Sequence, residues 1–282
     1  MGASGVGSKS SLRDFDRELA LFELKTRAPP RMGGAENLHP TPDGLPPAPV
    51  ENLPLPRLSV LLPALNEEGG VRHVLRRIPW SSLSSMGFRL DVNLLDGHSL
   101  DRTREAAKEY GADVFVQTGR GKGSALREFL PSLRSEYCVI LDSDATYPPE
   151  MIPVLAEKLR RGAPVVLGSR FRGRIEEGAM STANRLGNRL LSAFASWLFG
   201  QPVSDVCSGM WGFRTDVLKS FGLTANGFDV EADFFAECAL RGIPIEEVPI
   251  HYRNRIGVPK LRIRAGLRIA GTLLLKRIRD AR

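Results

Sequence analysis

The residues with the clearest chemical capacity are Asp142 and Asp144 in the run ILDSDATYPPE. The preceding residues, YCVILD at 137–142, are mostly apolar and read as a buried strand. Such a strand delivers two carboxylates separated by one small residue, and in extended backbone residues two apart project to the same side. The pair can therefore grip Mg2+ or Mn2+, hard ions that take oxygen ligands and bridge phosphate oxygens. A DxD alone is common in loops. This one closes the fourth strand of an alternating pattern and stands directly before a helix opened by Pro148 and Pro149.

The elements around it set the context. LSVLLPA at 58–64 reads as a strand, followed by Val71, Val74, Leu75 and Ile78 at helical spacing. LDVNLLD at 90–96 is the next strand, with a helix expected after Ser99 as N-cap and ending at Gly111. ADVFVQ, a helix over about 124–134, the DxD strand, a helix stopping near Gly162 and the strand VVLG follow. This alternation predicts an α/β fold with a mainly parallel sheet flanked by helices. Ligands of such sheets sit outside the carboxyl ends of the strands. The residues there are Asn66 and Glu67, Asp96, the glycines at 121–123, Asp142 and Asp144, and Ser169 and Arg170. Asp and Asn are also good turn formers, but a sheet built for stability alone has no need of polar groups at every strand end.

The motifs LLPALNEE, LDGHSLDRT, GRGKGSALREF, LDSDATYPPE, LGSRFRG, DVCSGMWGFR and EVPIHYRNRIGVPKL, in this order, resemble the large inverting glycosyltransferase family with the GT-A fold. The resemblance runs over about 58–261 and is greatest to the polyprenyl-phosphate (dolichyl-phosphate) branch, which includes the dolichyl-phosphate mannose and glucose synthases. It implies a GT-A, Rossmann-like sheet with a smaller acceptor-side region, and hexose transfer from a UDP- or GDP-linked nucleotide-sugar donor to a polyprenyl phosphate. Carried over residue by residue, it implies that Pro63, Leu65 and Glu67 hold the nucleoside and Asp96 the base edge. Both acids could instead be ordinary caps. Lys122, in the cationic and flexible GRGKG run, is implied at the diphosphate, as a loop closing over it or as a plain surface turn. Asp142, Ser143 and Asp144 are implied at the donor, with both aspartates on the metal. Arg170, Ser208, Arg255 and Lys260 are implied at phosphates, Arg170 sharing the catalytic role of Asp142 and Asp144, and Trp211 is implied near the acceptor. Thr146 departs from the branch, whose members often carry Gln there. A lipid monophosphate, with a second pKa near ~6, attacks without a general base. A hydroxyl acceptor would need one, and Asp229, Glu231 and Asp233 are the nearest acids, although the start of a helix stabilises acids anyway.

Residues 1–56 read as an N-terminal arm and Pro-rich linker, 57–250 as the transferase domain and 251–282 as a basic clamp with an amphipathic helix. The charge follows this division. Ten Lys or Arg against one acid lie in 251–282, while the other 250 residues hold 29 basic and 31 acidic residues, so a uniformly basic nucleic-acid surface is not expected. In the tail Ile263, Leu267, Ala270, Leu274 and Ile278 form one stripe, with Arg262, Arg264, Arg268, Lys276 and Arg279 largely off it. Such a helix suits peripheral contact with an anionic membrane, or else packs on the core or on a homodimer partner. Leu186, Leu190, Phe194 and Leu198 make a second stripe, of a kind more common in cores. No stretch is long and apolar enough to span a bilayer and no signal-peptide pattern opens the chain, so a cytoplasmic protein, peripheral on the cytoplasmic face of the membrane, is expected. The same features keep a soluble alternative open, transfer to a small phosphorylated acceptor such as 3-phosphoglycerate. A binding protein without catalysis is disfavoured by the intact DxD and the basic clamp.

Overall fold

The order of strands follows the expected alternation as far as the fifth and then departs from it. The structure, a computed structural model, describes residues 54–257 and 264–280. β1 (Arg57–Ala64) leads into α1 (Glu68–Arg77) and α2 (Trp80–Ser85), then β2 (Arg89–Asp96), α3 (Thr103–Glu109) and β3 (Asp113–Val116). α4 (Lys122–Phe129), β4 (Tyr137–Leu141), α5 (Ile152–Arg160) and β5 (Val165–Ile175) follow. The second half holds α6 (Thr182–Phe199), β6 (Met210–Arg214), α7 (Thr215–Ser220), α8 (Val230–Leu240), β7 (Ile245–Tyr252) and α9 (Arg264–Asp280).

The described strands form one seven-stranded sheet of order β3-β2-β1-β4-β6-β5-β7, parallel except for β6, which runs antiparallel between β4 and β5. β1 reads as a continuous apolar run because it is covered on both faces. Leu58, Val60 and Leu62 point into the core shared with α1, α3 and α5, and Leu61 into the core shared with α4, α8 and α9. β1 pairs with β2 on one side and β4 on the other, so the strand order reverses between β1 and β4. That reversal opens the crevice in which doubly wound sheets bind ligands. At the opposite rim, Gly111 (φ 75°) and Gly162 (φ 107°) supply the left-handed residues that turn α3 into β3 and α5 into β5.

Four expectations need correction. The helix expected from Ser99 starts at Thr103, because Asp101 accepts from the Thr103 amide (3.0 Å) while Ser99 is drawn back to Asp96. Trp211 is no acceptor contact: it is fully buried in β6, stacked on Phe213, its indole N–H donating to the Ser208 carbonyl (2.7 Å). The inward face of α9 is Ile269, Leu273 and Lys276, whereas Leu267, Leu274 and Ile278 face outward; Ile263 lies outside the described residues. α6 likewise exposes Leu186, Leu190 and Trp197 while half-burying Phe194 and Leu198. Lys276 pairs with Asp233 (2.7 Å) and Glu237 (2.5 Å), so α9 is fastened to α8 by buried charge. The three cysteines are free, and burial pushes the Cys138 and Cys207 thiols up to about 12. No described helix is long and apolar enough to cross a membrane.

Candidate active site

Among the described residues three non-glycine positions hold positive φ angles, and all lie where strands end at the crevice: Asn66 (49°) after β1, His98 (68°) after β2 and Ala145 (70°) after β4. Backbone strain of this kind clusters at functional sites. Side chains tie the three turns together. The Asn66 amide donates to Ser99 Oγ (2.9 Å), and the Leu100 amide to Asn66 Oδ1 (2.7 Å). Ser143, between the aspartates, donates to the Pro63 carbonyl (2.8 Å), pinning the DxD turn to the end of β1.

Asp142 and Asp144 sit at the centre. Asp144 is buried, and its Oδ1 accepts from the Thr146 amide (3.0 Å) and hydroxyl (2.6 Å), so the residue that departs from the family pattern orients this carboxylate. Burial, followed by the neighbouring Asp142 charge, raises the Asp144 pKa, against the pull of Arg255 and Thr146. Asp142 is partly open, and its amide donates to the Gly209 carbonyl (3.2 Å). A Cβ at Gly209 would lie 2.0 Å from Asp142 Oδ2, so the bare backbone there is the cradle in which this carboxylate rests. The Gly209 amide in turn donates to the Tyr147 hydroxyl (2.6 Å).

Two built-in cations face the pair. Lys122 Nζ meets Asp142 (2.5 Å) and Glu231, and Arg255 meets Asp144 and Glu67 (3.1 Å to the latter). Burial works against the Lys122 charge, but Asp142 and Glu231 together hold its pKa above the ordinary lysine value. The GRGKG run is packed rather than flexible. Lys122 is the first residue of α4, and a Cβ at Gly121 or Gly123 would lie 2.3 Å from the carbonyl oxygen of Asn226 or Ala225. Arg255 is carried by a strap, residues 253–257, whose amides at Arg253 and Ile256 donate to the carbonyls of Thr146 (2.9 Å) and Asp144 (3.0 Å).

The remaining expected residues divide. Leu65 is exposed and Asp96 fully buried, both carboxylate oxygens of the latter accepting from the Ser99 amide (3.3 and 3.2 Å). Arg170 is buried and spends its fork on Asp205 (2.7 and 2.5 Å) beside the Tyr252 ring, so a phosphate there would share it. Ser208 is turned inward, donating to the Gly168 carbonyl (2.5 Å). Lys260 lies outside the described residues. Of the three acids weighed as bases, only Glu231 faces the site. Asp229 accepts from Thr272 (2.8 Å), and Asp233 from the Thr224 and Ala225 amides (2.6 and 2.8 Å). The sequence reading left Gly209, Tyr147 and the Lys122–Glu231 contact unmarked; pairing across 109 positions leaves no local signal.

The two aspartates fit a divalent ion of the Mg2+ type, which is usually held by one or two carboxylates with substrate phosphates and water completing its shell. Among the described residues no group of three His, Cys, Asp or Glu side chains is placed to hold a metal ion.

Residues 59–222 match the family model described as Glycosyl transferase family 2. The chain is 36% identical over 197 residues to Glycosyltransferase AglJ of Haloferax volcanii, covering 70% of this chain and 63% of that protein. It is 35% identical over 208 residues to the Low-salt glycan biosynthesis hexosyltransferase Agl6 of the same organism, spanning only 50% of its length and 73% of this chain. It is also 35% identical over 221 residues to the Haloferax volcanii Dolichyl-phosphate hexose transferase, covering 78% of this chain and 92% of that one. Among solved structures it superimposes with a TM-score of 0.65 and 27% identity on glucosyl-3-phosphoglycerate synthase from Mycobacterium tuberculosis in complex with Mn2+, UDP-glucose and phosphoglyceric acid, over 79% of this chain and 80% of that one. The mostly parallel sheet with flanking helices is thus the GT-A fold.

Proposed function

The chain belongs to glycosyl transferase family 2, and on that footing we propose that it moves a hexose from a UDP- or GDP-linked sugar to a polyprenyl phosphate, with Mg2+ or Mn2+ on Asp142 and Asp144. The observation that carries the proposal is the aspartate pair at the β1/β4 reversal, faced by Lys122 and Arg255. The metal, when bound, neutralises the departing nucleoside diphosphate. The chain's own part is to fix the charges around that leaving group: Thr146 orients Asp144, Gly209 makes room for Asp142, and Lys122 and Arg255 add positive charge from two sides. Pro63, Leu65 and Ser143 shape the donor side. An acceptor phosphate ionised at neutral pH needs no base, and Arg255, Arg170 and Lys260 are the cations assigned to receive it. In this reading 57–250 is the catalytic unit, and 251–282 supplies the clamp and a surface helix.

The similarity to a dolichyl-phosphate hexose transferase supports a lipid acceptor, and so do the outer faces of two helices. α6 exposes Leu186, Leu190 and Trp197, the last 77% exposed, and α9 exposes Leu267, Leu274 and Ile278 with Arg268 and Arg279 alongside. Apolar residues that enter an interface, flanked by cations worth about 1 kcal/mol each near anionic lipid, suit peripheral contact with a membrane. The test is to replace Leu267, Leu274 and Ile278 together by Ser. Truncating the last turns would instead remove the buried Lys276. Liposome binding and transfer to polyprenyl phosphate in bilayers should fall while slow donor hydrolysis in solution survives; retention of both activities would refute the lipid surface. A second reading, a small phosphorylated acceptor, draws on the likeness to glucosyl-3-phosphoglycerate synthase. It wins if the intact protein ignores liposomes and glycosylates 3-phosphoglycerate. A dimer in sedimentation that is lost in the same triple variant would assign the stripes to a second copy.

A further inference from the structure

Each aspartate of the DxD shares its cation with a second carboxylate outside the motif. Lys122 lies between Asp142 and Glu231, and Arg255 between Asp144 and Glu67. For Lys122 the arrangement is built into the backbone. The Ser124 amide donates to the Asn226 carbonyl (3.1 Å), and the glycines on either side of Lys122 press on the carbonyls of residues 225 and 226. α8, with Glu231 in its first turn, begins four residues later. The positions of Lys122 and Glu231 are therefore fixed relative to each other without help from Asp142. Both side chains are buried, at 5% and 8% exposure, whereas Asp142 is 29% exposed.

A cation that binds Asp142 takes that carboxylate's charge away from Lys122. A buried ammonium left without a counterion is strongly disfavoured, so with Asp142 as its sole partner Lys122 would compete with the metal. Resting on the reading that Asp142 and Asp144 hold the divalent ion, we infer that Glu231 is a positioning residue that retains Lys122 when Asp142 turns to the metal. The ammonium then stays beside the diphosphate as a second positive charge rather than as a rival for the ligand. Glu67 stands in the same relation to Arg255. In this role Glu231 takes no proton during transfer, and its Oε1 is already committed to Lys122.

Mn2+ binding to the sugar-free protein, followed by the electron paramagnetic resonance signal of the free ion, tests this. Glu231→Gln, which keeps shape and a hydrogen-bond acceptor, should raise the Mn2+ Kd about tenfold, the worth of one charge-assisted hydrogen bond. In a Lys122→Gln background the same change should have little effect, since no ammonium remains to be held. Glu231→Asp, which draws the charge back by one methylene, should recover part of the affinity and serves if the Gln variant folds poorly. Equal weakening with and without Lys122 would show that Glu231 acts only through its negative charge and would overturn the inference. Unchanged Mn2+ affinity with a collapsed kcat would make it a proton acceptor instead, which overturns the inference as well. If the wild type and Asp142→Asn bind Mn2+ identically, the metal assignment itself fails, and the inference falls with it.

Discussion

Replacing Gly209 by Ala should disable the site while leaving the fold standing. A Cβ added there would lie 2.0 Å from Asp142 Oδ2 and 2.5 Å from its Cγ. Ordinary contact begins near 3.4 Å, so one partner must retreat by about 1.4 Å. Residue 209 cannot, because its amide is held by Tyr147 and its carbonyl by the Asp142 amide, while the next residue is paired in β6. The Asp142 carboxylate is partly exposed and is held by Lys122, which keeps Glu231 as a second partner, so it is the group that yields. Misplacing a catalytic group by about 1 Å costs on the order of 100-fold, so kcat/KM should fall about 100-fold, or roughly 2.7 kcal/mol of transition-state stabilisation. Thermal unfolding should move little, since the movement ends in solvent. The assay is nucleotide-sugar hydrolysis with Mn2+ alongside a melting curve. Activity within about threefold of wild type in a normally folded Gly209→Ala protein would refute the cradle, and a loss of stability large enough to explain the lost activity would refute the retreat of Asp142.

Asp144→Asn should abolish transfer with the circular dichroism spectrum unchanged; normal turnover would remove Asp144 from the metal. Lys276→Met leaves Asp233 and Glu237 without their shared cation and should cost about 3–5 kcal/mol in urea unfolding, whereas a change below about 1 kcal/mol would show that these ion pairs contribute little to the fold. Glu128 accepts from the Thr118 amide, the Ser124 hydroxyl and the Gly119 amide at the entry to the Lys122 turn, and these bonds, the Thr118 amide foremost, lower its pKa from 4.5 to about 2. Its folded-state value is depressed, so the stability it gives is present above pH 4.5 and is lost as pH falls towards 2. The melting-temperature gap between wild type and Glu128→Gln should close over that window, and a constant gap would contradict the bonding.

The strands β1 to β5 are legible in the sequence because buried strands read as apolar runs with polar stops, and each stop lands at the crevice. β6 and β7 are not: MWGFR is short and contains glycine, and IEEVPIHY mixes charge with a proline. The phase of α9 escapes a sequence reading for a related cause. Two apolar stripes fit the segment, and only Asp233 and Glu237, some 40 positions upstream, make Lys276 an inward residue. The DxD is visible because its chemistry is local. Its charged partners come from 20 to 111 positions away, and charge pairing at such separation leaves no periodicity to read.

The polarity of the sheet has a practical consequence for watching this enzyme at work. Every parallel strand discharges its polar residues at one rim, so the helix-to-strand turns collect at the other. At Gly111 and Gly162 a side chain would meet nothing within 4 Å. A fluorophore carried on a short insertion at either turn would sit at the rim opposite the aspartates, before the first residues of β3 and β5. The native thiols compete little for maleimide, since Cys138 and Cys238 are buried, Cys207 is half-buried, and all three have raised pKa values. Single molecules tagged there could be followed with the catalytic rim untouched.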